Sequence, residues 1–152
     1  AQSYGTGSHN TLDDYEEGSF SVFLGDSTSH GGNSLTASGS QPGSYTKIGN
    51  LVYFSIAVTL DKTSLTGTAP IYIHGLPFTS SSEQNYYECS PPRAAGGYIS
   101  ATDTLHATVN GNGTYILFYK NDHTQSPAQA LIQDIGSTDT TKLRLTGCYR
   151  TT

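Results

Sequence analysis

The 152-residue chain carries 12 acidic and 7 basic side chains, a formal net charge of −5, and its bases are scattered from Lys47 to Arg150 without a block. Binding to nucleic acid or an anionic membrane needs clustered cations, so both are set aside, and no apolar run approaches the ~20 residues of a membrane span. With 34% hydrophobic residues, 17 Gly, 11 Tyr and no Trp, the composition describes short strands joined by turns rather than a helical bundle.

Residues 1–11 are small and polar and read as a flexible lead, leaving 12–152 as one domain. The first residues lack the basic and apolar regions of a signal peptide, and the expectation is a soluble chain. Ser19 to Leu24 form a short strand with Phe20 and Val22 on one side and Phe23 on the other. Gly25 to Gly43 hold almost no apolar residue besides Leu35 and predict a long exposed loop, either a binding loop or disordered. In Leu51 to Leu60 the alternation of Val52, Phe54, Ile56, Val58 and Leu60 with smaller or polar residues gives a strand with one apolar face. Gly49-Asn50 accepts positive φ in a turn or a bulge; if the chain turns there, Tyr45 to Ile48 completes a hairpin.

Ala69 to His74 supply a strand with Ile71 and Ile73 on one face, ended by Gly75-Leu76-Pro77-Phe78, whose Leu76 and Phe78 suit the open end of a sandwich. Asn85 to Cys89 and Gly97 to Ala101 are further strands, joined through Pro91-Pro92. Leu105, Ala107 and Val109 alternate up to Asn110-Gly111-Asn112-Gly113, where Asn-Gly pairs fit primed hairpin turns, and Thr114 to Lys120 return with both faces apolar. Such a strand is central or packs on another subunit. Ser126 to Gln133 is the best helical window, which Pro127 limits to a turn or short helix. Leu143, Leu145, Gly147 and Tyr149 alternate in a last strand. The whole predicts an all-β, two-sheet antiparallel sandwich of jelly-roll type.

Catalytic constellations do not emerge. Asp13, Asp14, Glu16 and Glu17 are sequence neighbours, a solvated cluster that lacks both the geometry of a carboxylate pair flanking one sugar bond and the ligand spacing of a calcium loop. His9, His30, His74, His106 and His123 have no zinc spacing, although His74 and His106 lie opposite the apolar strand faces, where they suit a groove or a subunit axis. No nucleophile elbow, phosphate loop or dinucleotide fingerprint occurs, so no catalytic residue, metal or cofactor is assigned. Cys89 and Cys148 either pair or stand as free thiols. Asn112-Gly113-Thr114 matches a glycosylation sequon, but the turn explains it.

The remaining enrichment is aromatic. Sugar rings present apolar C–H faces edged by hydroxyls, which suits tyrosine beside Arg, Glu or Asn, so Tyr86, Tyr87, Glu88, Arg93 and Tyr98 are the candidate ligand contacts. The competing explanation is a strand with one tyrosine inward and the other outward.

Three phrases, LDDYEEGSF from Leu12, YTKIGNLVYFSIAVTLDKTS from Tyr45 with IYIHGLPF from Ile71, and LTGCYRT from Leu145, resemble the C-terminal domain of bacteriophage tail fibre and tailspike proteins. The resemblance implies a homotrimer at the end of a fibre, preceded by an upstream shaft, exposed on the virion. The expected function is non-enzymatic attachment to a host-surface receptor, a bacterial glycan first among them, together with capping of the trimer. Three alternatives stand beside it: a purely structural trimerisation module, a polysaccharide-modifying tailspike enzyme, and a C1q-like or lectin-like trimeric module of cellular origin.

Overall fold

Eleven strands build two antiparallel sheets in a computed structural model, which describes residues 14–26, 42–63, 65–95, 104–121, 127–135 and 140–152. The first sheet orders β1 (Tyr15–Phe20), β3 (Gly43–Ile48), β4 (Leu51–Asp61), β11 (Thr140–Arg150) and β7 (Arg93–Ala95) as β1-β3-β4-β11-β7. The second orders β2 (Phe23–Gly25), β5 (Tyr72–His74), β9 (Tyr115–Asn121), β8 (Thr104–Asn110) and β6 (Tyr86–Glu88) as β2-β5-β9-β8-β6, with β10 (Ala128–Gln129) paired to the end of β9. This is the all-β sandwich that the alternation predicts.

Its core is the interleaving of the two inner faces. Val52, Phe54, Ile56 and Val58 of β4 and Leu143, Leu145 and Tyr149 of β11 meet Ile73 of β5, Ala107 and Val109 of β8, and Ile116 and Phe118 of β9, all buried. The side chain of Leu60 lies outside the described residues. β4 and β11 pair along their full lengths, from Thr140 opposite Asp61 to Arg150 opposite Leu51. The predicted hairpins both form. Gly49 takes the left-handed conformation (φ 59°) at the first position of the two-residue β3–β4 loop, the place that a type II′ loop reserves for glycine. The β8–β9 loop is longer than a primed two-residue turn, running from Gly111 to Thr114 with Asn112 left-handed (φ 59°).

Several expected elements change. The single strand at Ser19 to Leu24 is two: β1 begins at Tyr15 in one sheet, the chain crosses at Ser21 and Val22, and β2 lies in the other. The crossing passes against Gly75 (φ 101°), where an added Cβ would stand 2.2 Å from the Ser21 carbonyl oxygen. Ala69 to His74 shortens to β5, with Ile71 still buried, and Leu76 and the partly buried Phe78 pack on the core as expected. Ser126 to Gln133 yields no α-helix among its described residues, but β10 and a single 3₁₀ turn at Ile132–Asp134. β7 occupies Arg93–Ala95, which sequence treats as a connection, because β11 offers a free edge that overrides weak local propensity. The lead at 1–11, most of the Gly25 to Gly43 loop and the Gly97 to Ala101 strand lie outside the described residues.

Candidate functional site

β6 carries the candidate tyrosines at the lateral edge of the second sheet, where it pairs with β8 through Tyr86 opposite Asn110 and Glu88 opposite Thr108. Period-two alternation splits the pair. Tyr86 stands 50% exposed on the outer face, whereas Tyr87 is 7% exposed, packs its ring 6.4 Å from that of Tyr149 and donates its hydroxyl to the Ser81 carbonyl at 3.3 Å. Tyr87 is therefore a core residue, a correction to its place among the ligand contacts. Glu88 is exposed beside Tyr86. After β6 the chain crosses to the first sheet: Cys89 bridges Gly147, and Ser90 donates its N–H to the Thr146 carbonyl at 2.8 Å. This crossing places Arg93 on β7 of the other sheet; its side chain, and all of Tyr98, lie outside the described residues.

Around Tyr86 the structure assembles a polar depression of about 220 Å³ lined by Ser82, Gln84, Asn85, Tyr86, Asn110, Gly111 and Asn112. Two features bring the 80–85 segment against the β8–β9 loop. Ser80, fully buried, donates to the Asn110 carbonyl at 2.5 Å and accepts the Gly113 N–H at 3.1 Å. The Gly111 N–H donates to the Asn85 carbonyl at 2.7 Å, an approach so close that a Cβ on Gly111 would lie 2.1 Å from the Gln84 carbonyl oxygen. The depression is lined by side-chain amides, a hydroxyl and one aromatic ring, with no charged residue.

Aromatic rings continue from it across the outer face of the second sheet. Tyr86 meets Tyr119 edge-on with centroids 6.3 Å apart; Tyr115 lies 5.5 Å from Tyr72, and Tyr72 stacks on His74 at 5.6 Å. The Asn110 amide donates to the Tyr115 hydroxyl at 2.9 Å, linking the depression to this band. Burial raises the pKa of Tyr115 and Tyr119 above the ordinary phenol value, with nearby tyrosines adding to it, so both remain neutral donors. His74 sits in the band and His106 pairs with Tyr119 on the same face; they share one sheet face but form no metal cluster, and among the described residues no group of three His, Cys, Asp or Glu could hold a metal.

Cys89 and Cys148 are free thiols, the first partly buried and the second exposed. Sequence reasoning missed Ser80 and the amides at Gln84, Asn85, Asn110 and Asn112. The Asn-Gly-Asn-Gly run was the available signal, since it marks a loop dense in amides, but nothing in sequence showed that the 80–85 segment folds against it.

No protein-family profile and no curated protein matches the chain. The crystal structure of the Dettilon tailspike protein (gp208) is similar over 90% of this chain, with a TM-score of 0.66 and 20% sequence identity. The two share a fold. This chain spans 24% of that protein's length, about a quarter, and the likeness concerns architecture alone. Among the described residues no helix is long and apolar enough to cross a membrane.

Proposed function

We propose that this chain is a non-enzymatic attachment domain of a phage tailspike or tail fibre, carried on the virion as a homotrimer attached to upstream domains, and that it binds bacterial surface carbohydrate. The observation that carries the reading is the uncharged, amide-lined depression beside the exposed ring of Tyr86. A pyranose laid on that ring would bury its C–H face, while Gln84, Asn85 and Asn112 supply donors and acceptors for its hydroxyls. The band from Tyr119 to Tyr72 would extend the contact to an oligosaccharide of several sugars. Glu88 stays as a flanking candidate, and Arg93 and Tyr98 stay as candidates on sequence alone. The tailspike fold supports the setting, and three copies on one particle raise weak affinity by multivalency of order ~10²–10⁴.

The test is retention of host polysaccharide on immobilised chain, with the Tyr86→Ala variant alongside. Retention by the native chain and its loss in the variant is the expected result. Native retention untouched by Tyr86→Ala would remove the depression from the account, and release of reducing ends from the polysaccharide would replace the non-enzymatic reading with a depolymerase.

A further inference from the structure

The outer face of the first sheet is organised differently from that of the second. Side chains of β1, β3, β4 and β11 that point away from the core follow from the register: Tyr15 and Glu17, Thr46 and Ile48, Leu51 and Tyr53, Cys148 and Arg150 lie side by side at one end. Tyr15, Ile48, Leu51 and Tyr53 are 46–52% exposed, although an exterior strand position ordinarily carries a polar residue. Charge is segregated across this strip. The acidic group, Glu17, is on the edge strand β1, and the bases Lys142, Arg144 and Arg150 are on β11, three of the chain's seven. At the end that holds Glu17 and Arg150 the outer faces of β3 and β4 between them are uncharged; Asp61 lies at the far end of β4, opposite Thr140.

Three strand spacings put β1 and β11 roughly 14 Å apart, beyond a Debye length of about 10 Å, so Glu17 and Arg150 do not serve each other within one copy. There Glu17 accepts the Tyr15 hydroxyl, and Arg150 stands 3.9 Å from Glu83 in a solvent-exposed pair, the class of ion pair worth least. A rotation axis running parallel to the strands through the apolar strip changes this. It keeps every residue at its own height, sets Ile48, Leu51 and Tyr53 next to their own copies, which only uncharged groups tolerate, and turns the β1 flank of one copy toward the β11 flank of the next. Glu17 lies level with Cys148, one pleat from Arg150, within reach of a guanidinium.

We infer that this face is where copies of the chain associate, flank to flank about an axis along the strands, with Glu17 of one copy on Arg150 of its neighbour. The occupant is a second copy of the chain; that the ring closes at three rests on the trimer proposed above. The arrangement is head-to-tail and self-closing. It leaves the opposite, Tyr86-bearing face outward.

The test is solution mass by light scattering across a dilution series, with circular dichroism confirming that each variant is folded. Tyr53→Asp, at a half-exposed position, is expected to give monomer at concentrations where the native chain is assembled. Glu17→Arg and Arg150→Glu are each expected to raise the dissociation midpoint about tenfold, and their combination to restore it. A native assembly indifferent to all of these, or a native chain monomeric at every concentration, overturns the inference. A dimer that obeys the charge swap upholds the face and overturns the trimer. Because polysaccharide retention is measured on immobilised chain, it reports on the attachment reading separately.

Discussion

The Tyr149 hydroxyl donates to the Phe78 carbonyl at 3.0 Å and accepts the Phe78 N–H at 3.3 Å, so the last strand of one sheet closes the loop that leaves β5 of the other. Phe78 in turn stands edge-on to Tyr45, with centroids 5.2 Å apart. Tyr149→Phe keeps the ring in the core and removes both hydrogen bonds, leaving two half-buried backbone groups without their partner. A loss of about 1–3 kcal/mol is expected, read from the urea midpoint at unchanged slope.

Neighbouring tyrosines on β6 should behave in opposite ways. Tyr87→Ala opens a cavity against Tyr149 and is expected to cost about 3–5 kcal/mol. Tyr86→Ala, at an exposed site, should change stability by no more than about 0.5 kcal/mol while abolishing polysaccharide retention. Paired thermal melts and retention assays check both.

Gly111→Ala sets a methyl group against the Gln84 carbonyl and pushes the β8–β9 loop from the 80–85 segment. The hydrogen bond from Gly111 to Asn85 is lost with it. A destabilisation of about 1–3 kcal/mol is expected, together with faster amide exchange at Gly113, whose N–H is held by Ser80.

The thiols should separate by reactivity. Cys148 is exposed and should react at once with a disulfide reagent, Cys89 only on unfolding. Burial pushes the Cys89 thiol up from 9.0 to about 12, and Glu88 acts in the same direction. Between these values the unfolded chain has released the proton and the native chain still holds it, so stability is full below about pH 9 and falls as pH rises toward 12. Cys89→Ala should make that decline shallower by about 1.4 kcal/mol per pH unit, measured by urea melts across the alkaline range. Tyr149, raised mainly by its own burial, adds a second decline that the variant retains.

Long elements were legible because many residues vote for them. Val52, Phe54, Ile56 and Val58 repeat one message, and the β3–β4 and β8–β9 hairpins carry their own turn residues. Three-residue strands were legible only in part: β5 and β6 lie inside the strands expected at Ala69 to His74 and Asn85 to Cys89, whereas sequence makes β7 a connection and β2 a continuation of β1. β5, β6 and β7 exist because a longer strand offers an edge, β2 in turn adds to β5, and three residues cannot state which sheet will claim them. Ser19 to Leu24 shows the cost: its alternation is real, with Phe20 and Val22 buried and Phe23 exposed, yet it spans a crossing between sheets. The candidate site was half legible. Aromatic enrichment pointed to Tyr86, but parity alone could not choose between Tyr86 and Tyr87, and the amides joined them only through Ser80 and Gly111, contacts between segments some 30 residues apart.

The pairing of β4 with β11 joins residues 51–61 to residues 140–150, at the far end of the sequence. During synthesis, β4 therefore leaves the ribosome long before its partner and waits with Phe54 and Ile56 exposed. Neither can be sheltered by β11 until the last dozen residues have followed. Folding is consequently a late, slow event governed by loop closure over nearly the whole domain. A chain cut short before Thr140 would lack the interior strand that covers β4 in the first sheet and present β4 as an open, aggregation-prone edge.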